Sequence, residues 1–192
     1  ENQVKGLPKD IPFSGGLVGY FGYETIKYIE EKLYIEKEDS LNVPDIFLFV
    51  CNEVIIFDNK ENCLQIVINS KTDKEDSYEK ANLRIDDIEK LIQSSEKNNA
   101  LKKETEKSYF TSSFKKENFI NAVKKIKDYI SAGDVMQVVL SQRLSKKFSS
   151  NPIDMYEALR NMNPSPYMYF LDMEDFQIIG SSPEILVKLE NK

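Results

Sequence analysis

Three short stretches hold side chains whose type and setting could do chemistry. Gly180-Ser181-Ser182-Pro183-Glu184 runs straight into the apolar Ile185-Leu186-Val187. A carboxylate between a tight turn and an apolar strand is expected to be partly desolvated, and desolvation favours the protonated form. Glu184 is therefore a candidate general acid near neutral pH. Gln137 lies in a run that alternates: Met136, Val138, Leu140 and Leu144 share one face, while Gln137, Val139, Ser141 and Arg143 share the other. In Asn163-Pro164-Ser165-Pro166-Tyr167-Met168 two prolines fix the backbone and remove two N–H donors, so the chain must enter the next strand in one rigid conformation. Each stretch also fits an ordinary role. Glu184 fits a strand-edge surface acid, Gln137 a satisfied polar residue on a half-wet face, and residues 163–168 a turn.

The elements that would position these residues follow from periodicity. Residues 13–21 read as a glycine-punctuated strand leading into a short helix over Tyr23–Glu31. Ile46–Val50, Glu53–Phe57 and Leu64–Ile68 are β-rich runs separated by Asn, Asp and Lys, which predicts an antiparallel meander. Helical spacing of Tyr78, Ala81, Ile85, Ile88, Leu91 and Ile92 predicts a helix over Lys74–Ile92, and a polar stretch from Ser94 to Lys107 reads as a linker. A second helix spans Glu117–Ala132, with Phe119, Ile120, Val123, Ile126 and Ile130 on one face and Gly133 where a left-handed cap belongs. Val135–Leu144 is expected to be a long strand, and Pro152–Met162 a helix with proline in its first turn. Strands are expected over Tyr167–Leu171, Phe176–Gly180 and Ile185–Leu189. No βαβ rhythm appears, so the class is α+β on antiparallel sheet.

Composition narrows the function classes. The 192 residues fit one medium domain or parts of two, and 41% are apolar, enough for a core. A net charge of −6 with interspersed lysines gives no basic footprint for nucleic acid or an anionic membrane. Histidine is absent, which excludes histidine catalysis and histidine–metal sites within this stretch. No apolar run reaches the ~18 residues of a membrane span. Cys51 and Cys63 fall at the ends of expected strands; a disulfide is one reading, and buried free thiols of a reducing, cytoplasmic protein are the better one. The N-terminus has neither an initiator Met nor a signal-peptide stretch, so the chain is expected to be an internal piece of a longer polypeptide.

Four segments occur together in order: Gly15 to Tyr20, Ala132-Gly133-Asp134-Val135-Met136-Gln137 through Arg143, Asn163 to Met168, and Gly180 to Glu184. That set resembles the large subunit of anthranilate synthase and, more broadly, the chorismate-utilising enzymes, over Pro12 to Leu189. The resemblance implies an antiparallel two-sheet core with helices packed outside, truncated here at both ends. It implies residues 1–107 as the end of an N-terminal region and 108–192 as the first part of a chorismate-binding domain. It implies a lyase that adds ammonia to C2 of chorismate, expels the C4 hydroxyl and eliminates pyruvate, in tryptophan biosynthesis. Glu184 matches the general acid. Gln137 matches a substrate-site position where water-using relatives place a lysine base. Pro166, Tyr167, Met168 and Gly180 match positions tied to feedback inhibition by L-tryptophan. The implied partners are chorismate and a glutamine amidotransferase subunit that delivers ammonia, with Mg²⁺ on the substrate carboxylate. The resemblance puts the substrate loop, a catalytic histidine and the Mg²⁺-binding glutamates after Lys192. The chain alone is therefore expected to bind no metal, to be inactive, and to self-associate through exposed sheet edges. The rival readings are aminodeoxychorismate synthase, which aminates C4, and an amino-acid-binding regulatory module without chemistry. Where that rival typically has an Ala-Pro-Phe type of sequence, this chain has Ser165-Pro166-Tyr167-Met168.

Overall fold

The computed structural model of the chain describes residue 11 and residues 13–34, 39–71, 74–94 and 109–189. The chain divides into two compact units, Glu1–Asn98 and Asn99–Lys192. Both mix helices with antiparallel strand pairs, so the α+β class holds.

The first unit contains β1 (Gly16–Phe21), β2 (Ile46–Cys51), β3 (Glu53–Asp58), β4 (Cys63–Ile68) and the helix α1 (Ser77–Ser94). Its strands are rich in Ile, Val and Phe, which suit a pleated surface. β1 pairs with β2, Gly16 facing Cys51 and Phe21 facing Ile46. β3 pairs with β4, Glu53 facing Ile68 and Asp58 facing Cys63. The expected meander is corrected here, because β2 and β3 do not pair. Asn52 alone separates them, and even the tightest hairpin needs about two loop residues. Residues 46–58 are thus one long strand interrupted at Asn52, with β4 arriving at the interruption and β1 leaving from it.

Asn69 closes that joint. Its backbone N–H donates to the Asn52 carbonyl at 2.7 Å. Its Nδ2 donates to the carbonyl of buried Ser14 at 2.6 Å. Gly15, at φ +139°, makes room for this approach: a Cβ there would overlap the Asn69 amide and fall 2.8 Å from the Cys51 carbonyl oxygen.

The helix expected over Tyr23–Glu31 forms instead as two 3₁₀ turns, Tyr23–Tyr28 and Glu31–Leu33, the tighter form used in short pieces. The first is fastened to the start of β2 through Asp45. The Asp45 carbonyl accepts from Gly22 N–H at 2.7 Å. Its carboxylate accepts from Lys27 Nζ at 2.7 Å and Tyr28 Oη at 2.6 Å. The Lys27 hydrogen bond, then that of Tyr28, holds the Asp45 carboxyl below its ordinary value. Whatever stability this clamp adds is therefore present above the usual carboxylate range and lost as pH falls through the depressed value. α1 packs on β4, burying Ile88, and its Arg84 forks onto Glu53 at 2.8 and 2.9 Å.

The second unit contains β5 (Thr111–Ser112), α2 (Lys116–Ala132), β6 (Leu144–Ser145), α3 (Pro152–Met162), β7 (Tyr167–Asp172) and β8 (Gln177–Ser182). Gly133 caps α2 in the left-handed region at φ 82°, its N–H on the Ile130 carbonyl and that of Asp134 on Tyr129. Asn151 caps α3, its side chain accepting from Ile153 N–H ahead of Pro152 at the first turn. Among the described residues the sheets are four two-stranded ribbons, β1–β2, β3–β4, β5–β6 and β7–β8. The two-sheet core expected from the sequence is present only as these ribbons.

Two expected strands do not form. Val135–Leu144 joins a ladder only at its end, where Leu144 faces Ser112. Ile185–Leu189 joins none, and Leu186 is 98% exposed. Alternating apolar residues create strand propensity, but a ladder needs a second strand, and the first segment meets one only at its end, where Ser113 N–H donates to the Arg143 carbonyl at 2.9 Å. The linker expected over Ser94–Lys107 falls, beyond Ser94, outside the described residues.

Burial is sparse. Ile88 and Met173 are the apolar residues buried among those described, and the α2 stripe leaves Ile120 and Ile130 each 43% exposed. Neither cysteine forms a disulfide; Cys51 is half-buried, while Cys63 is exposed, contrary to the burial expected for it. Among the described residues no helix is long and apolar enough to cross a membrane.

The joint at Asn69 is open to a direct test. Asn69→Ala leaves the buried Ser14 carbonyl without its donor and should lower unfolding stability by ~1–3 kcal/mol in urea denaturation. Asn69→Asp, whose carboxylate cannot donate, should cost a similar amount. An unchanged urea midpoint for both variants would show that the joint does not depend on this amide.

Candidate functional site

The candidate residues of the second unit other than Gln137 lie on the β7–β8 hairpin or next to it in sequence. Its tip is set by Glu174 at φ 68°, with Met173 N–H on the Phe176 carbonyl at 2.9 Å. From there the strands pair in register, Asp172 with Gln177 through Tyr167 with Ser182. α3 covers one face, where Tyr156 meets Phe170 edge-on at 6.2 Å. Alternation places half-buried Met168 on that same face. Tyr167 and Tyr169, each 41% exposed, lie on the other. Gly180 faces Tyr169 across the pair, and a Cβ at Gly180 would overlap that tyrosine ring. Glycine is needed there for space, so that the ring can lie across the strand.

Continuing the register one step would set Pro166 opposite Pro183. Neither has an N–H, so the ladder stops. Serine hydroxyls take over. Ser165 Oγ donates to the Ser182 carbonyl at 2.6 Å and accepts from Tyr167 N–H at 3.2 Å. Ser181 Oγ donates to the Asn163 carbonyl at 2.7 Å, and Ser182 Oγ to that of Glu184 at 3.1 Å. The proline turn and the Gly180–Glu184 segment, far apart in sequence, are thereby lashed together.

Glu184 itself is exposed, which corrects the expected desolvation: Ile185 to Val187 do not fold into a strand that would cover it. Gln137 is also exposed, and no hydrogen bond joins it to Glu184. Of the positions matched to feedback control, Tyr167 and Gly180 share a sheet face, Met168 takes the opposite one, and Pro166 ends the ladder. Reading by residue type missed Ser165, Ser181 and Ser182. The available signal was serine beside proline on both strands, where hydroxyls replace the lost donors. Among the described residues no group of three His, Cys, Asp or Glu side chains is placed to hold a metal ion. The described residues therefore do not fit the Mg²⁺ that the resemblance implies.

Fold and site together define an α+β chain built on antiparallel ribbons, with a candidate acid carried just beyond a proline-terminated hairpin. The family described as chorismate binding enzyme matches residues 1–192, and the chain belongs to that family. It is 44% identical over 193 residues to anthranilate synthase component 1 of Pseudomonas aeruginosa, covering 98% of this chain and 39% of that protein. It is 44% identical over 182 residues to anthranilate synthase component 1 of Aquifex aeolicus, covering 93% of this chain and 37% of that protein. The crystal structure of anthranilate synthase component I from Streptococcus pneumoniae TIGR4 matches with a TM-score of 0.81 and 34% identity, over 96% of this chain and 42% of that one. The chain thus spans about two-fifths of the length of the relatives it matches.

Proposed function

We propose that this chain is part of an anthranilate synthase large subunit, which converts chorismate and ammonia to anthranilate, pyruvate and water in tryptophan biosynthesis. The observation that carries this is the 44% identity, across 98% of the chain, to a protein named anthranilate synthase component 1. In this reading a glutamine amidotransferase subunit supplies the ammonia, and the protein works in the cytoplasm.

The C4 hydroxyl of chorismate leaves poorly unless it is protonated as the C–O bond breaks. Glu184 gives that proton, and general-acid help of this kind is typically worth ~10²–10⁴-fold in rate. The carboxyl is exposed in this chain, so bound substrate and the rest of the longer protein must supply its cover. Gln137 binds and orients substrate. Its amide cannot take a proton from water, which suits an enzyme whose nucleophile is ammonia. Pro166, Tyr167, Met168 and Gly180 belong to a tryptophan-responsive segment. The chain by itself is proposed to be inactive and, through its exposed apolar strand residues, to self-associate.

In the full-length protein Glu184→Gln keeps the shape but cannot deliver a proton. Steady-state kinetics should show kcat falling more than tenfold with chorismate KM nearly unchanged. A fall of less than tenfold, about 1.4 kcal/mol of barrier, would remove the acid role. Met168→Thr should weaken tryptophan inhibition while leaving uninhibited turnover nearly intact. An inhibition curve that superimposes on the wild type would remove the regulatory reading of residues 163–168.

A further inference from the structure

We propose that Ser165 and Ser182 are positioning residues for Glu184, holding the backbone that carries the acid against the proline turn. The proposal rests on the reading of Glu184 as the general acid and adds to it the means by which an exposed side chain is given a fixed place.

Pro166 and Pro183 would face each other, and neither can donate, so no ladder bond holds the chain beyond Tyr167 and Ser182. Ile185 to Leu189 form no strand, so no ladder anchors the chain on the far side of Glu184 either. Of the hydrogen bonds around this end of the hairpin, two lead towards Glu184. Ser165 Oγ, fixed by Tyr167 N–H at 3.2 Å, donates to the Ser182 carbonyl at 2.6 Å. Ser182 Oγ then donates to the Glu184 carbonyl at 3.1 Å, bridging Pro183. Extending the register places Ser165 opposite Glu184 itself, so the hydroxyl bond to Ser182 lies two residues from the acid. The 2.6 Å bond is half-buried, where water competes poorly for the carbonyl. An acid must hold its proton within hydrogen-bond reach of the leaving oxygen, so loss of this lashing shows as lost turnover.

The test uses the full-length enzyme with chorismate and ammonia. Ser165→Ala should lower kcat about tenfold, roughly what one lost hydrogen bond to a positioned group is worth, with chorismate KM changed less than about twofold. Ser165→Thr, which keeps the hydroxyl, should recover most of the rate. In a Glu184→Gln background Ser165→Ala should cost less than about twofold more, because the acid it positions is already gone. Ser182→Ala, at the outer end of the lashing, should lower kcat in the same direction by less, and it reads the coupling should Ser165→Ala fold poorly. Equal losses from Ser165→Ala in both backgrounds, or no loss in a protein that Glu184→Gln disables, would overturn the positioning role and leave the acid role standing. A Glu184→Gln enzyme of near-normal kcat would instead sink the acid reading, and this proposal with it.

Discussion

Backbone polar groups at the end of a ladder still need partners, and both units meet that constraint with a side chain. In the first, the long strand breaks at Asn52, and the Asn69 amide bridges the gap to Ser14. In the second, opposed prolines end the β7–β8 ladder, and Ser165, Ser181 and Ser182 carry the connection on. The two joints differ in what they hold. Asn69 fastens one strand pair to the next, whereas the serines fasten a turn to the segment bearing Glu184. Short polar side chains at these ends thus fix where the ribbons stop and what hangs from them.

The constraint also explains which parts of the fold were legible in the sequence. Elements defined by their own residues came through: α3 begins at Pro152 and ends at Met162 as expected, and Gly133 takes the left-handed cap that its place after an apolar helix implied. The β7–β8 hairpin was legible too, because its two apolar runs flank an acidic turn. What depends on a second segment was not. Val135–Leu144 alternates like a strand, yet only its end is paired, since propensity belongs to one strand and a ladder to two. The meander held between β3 and β4 but failed between β2 and β3 for the same reason: three β-rich runs in a row do not say which edges meet, and one residue cannot turn a chain back. The desolvation of Glu184 depended on the strand after it, and fell with that strand.

The site was legible as motifs and illegible as geometry. The order of the four segments carried the family, and the match over residues 1–192 bears it out. The residue types did not reveal that Gly180 is glycine to admit the Tyr169 ring. That follows from register, which single residues do not encode. The serines went unnoticed because a hydroxyl looks incidental until the prolines beside it are seen to face each other.

Under the proposed function, the full-length protein bearing this chain aminates chorismate at C2 and goes on to lose pyruvate. Product identification after supplying that protein with chorismate, Mg²⁺ and ammonia decides this. Fluorescent anthranilate should form, with one pyruvate released per turnover. An ammonia-dependent product that keeps its enolpyruvyl group and carries nitrogen at C4, with no anthranilate, would contradict it.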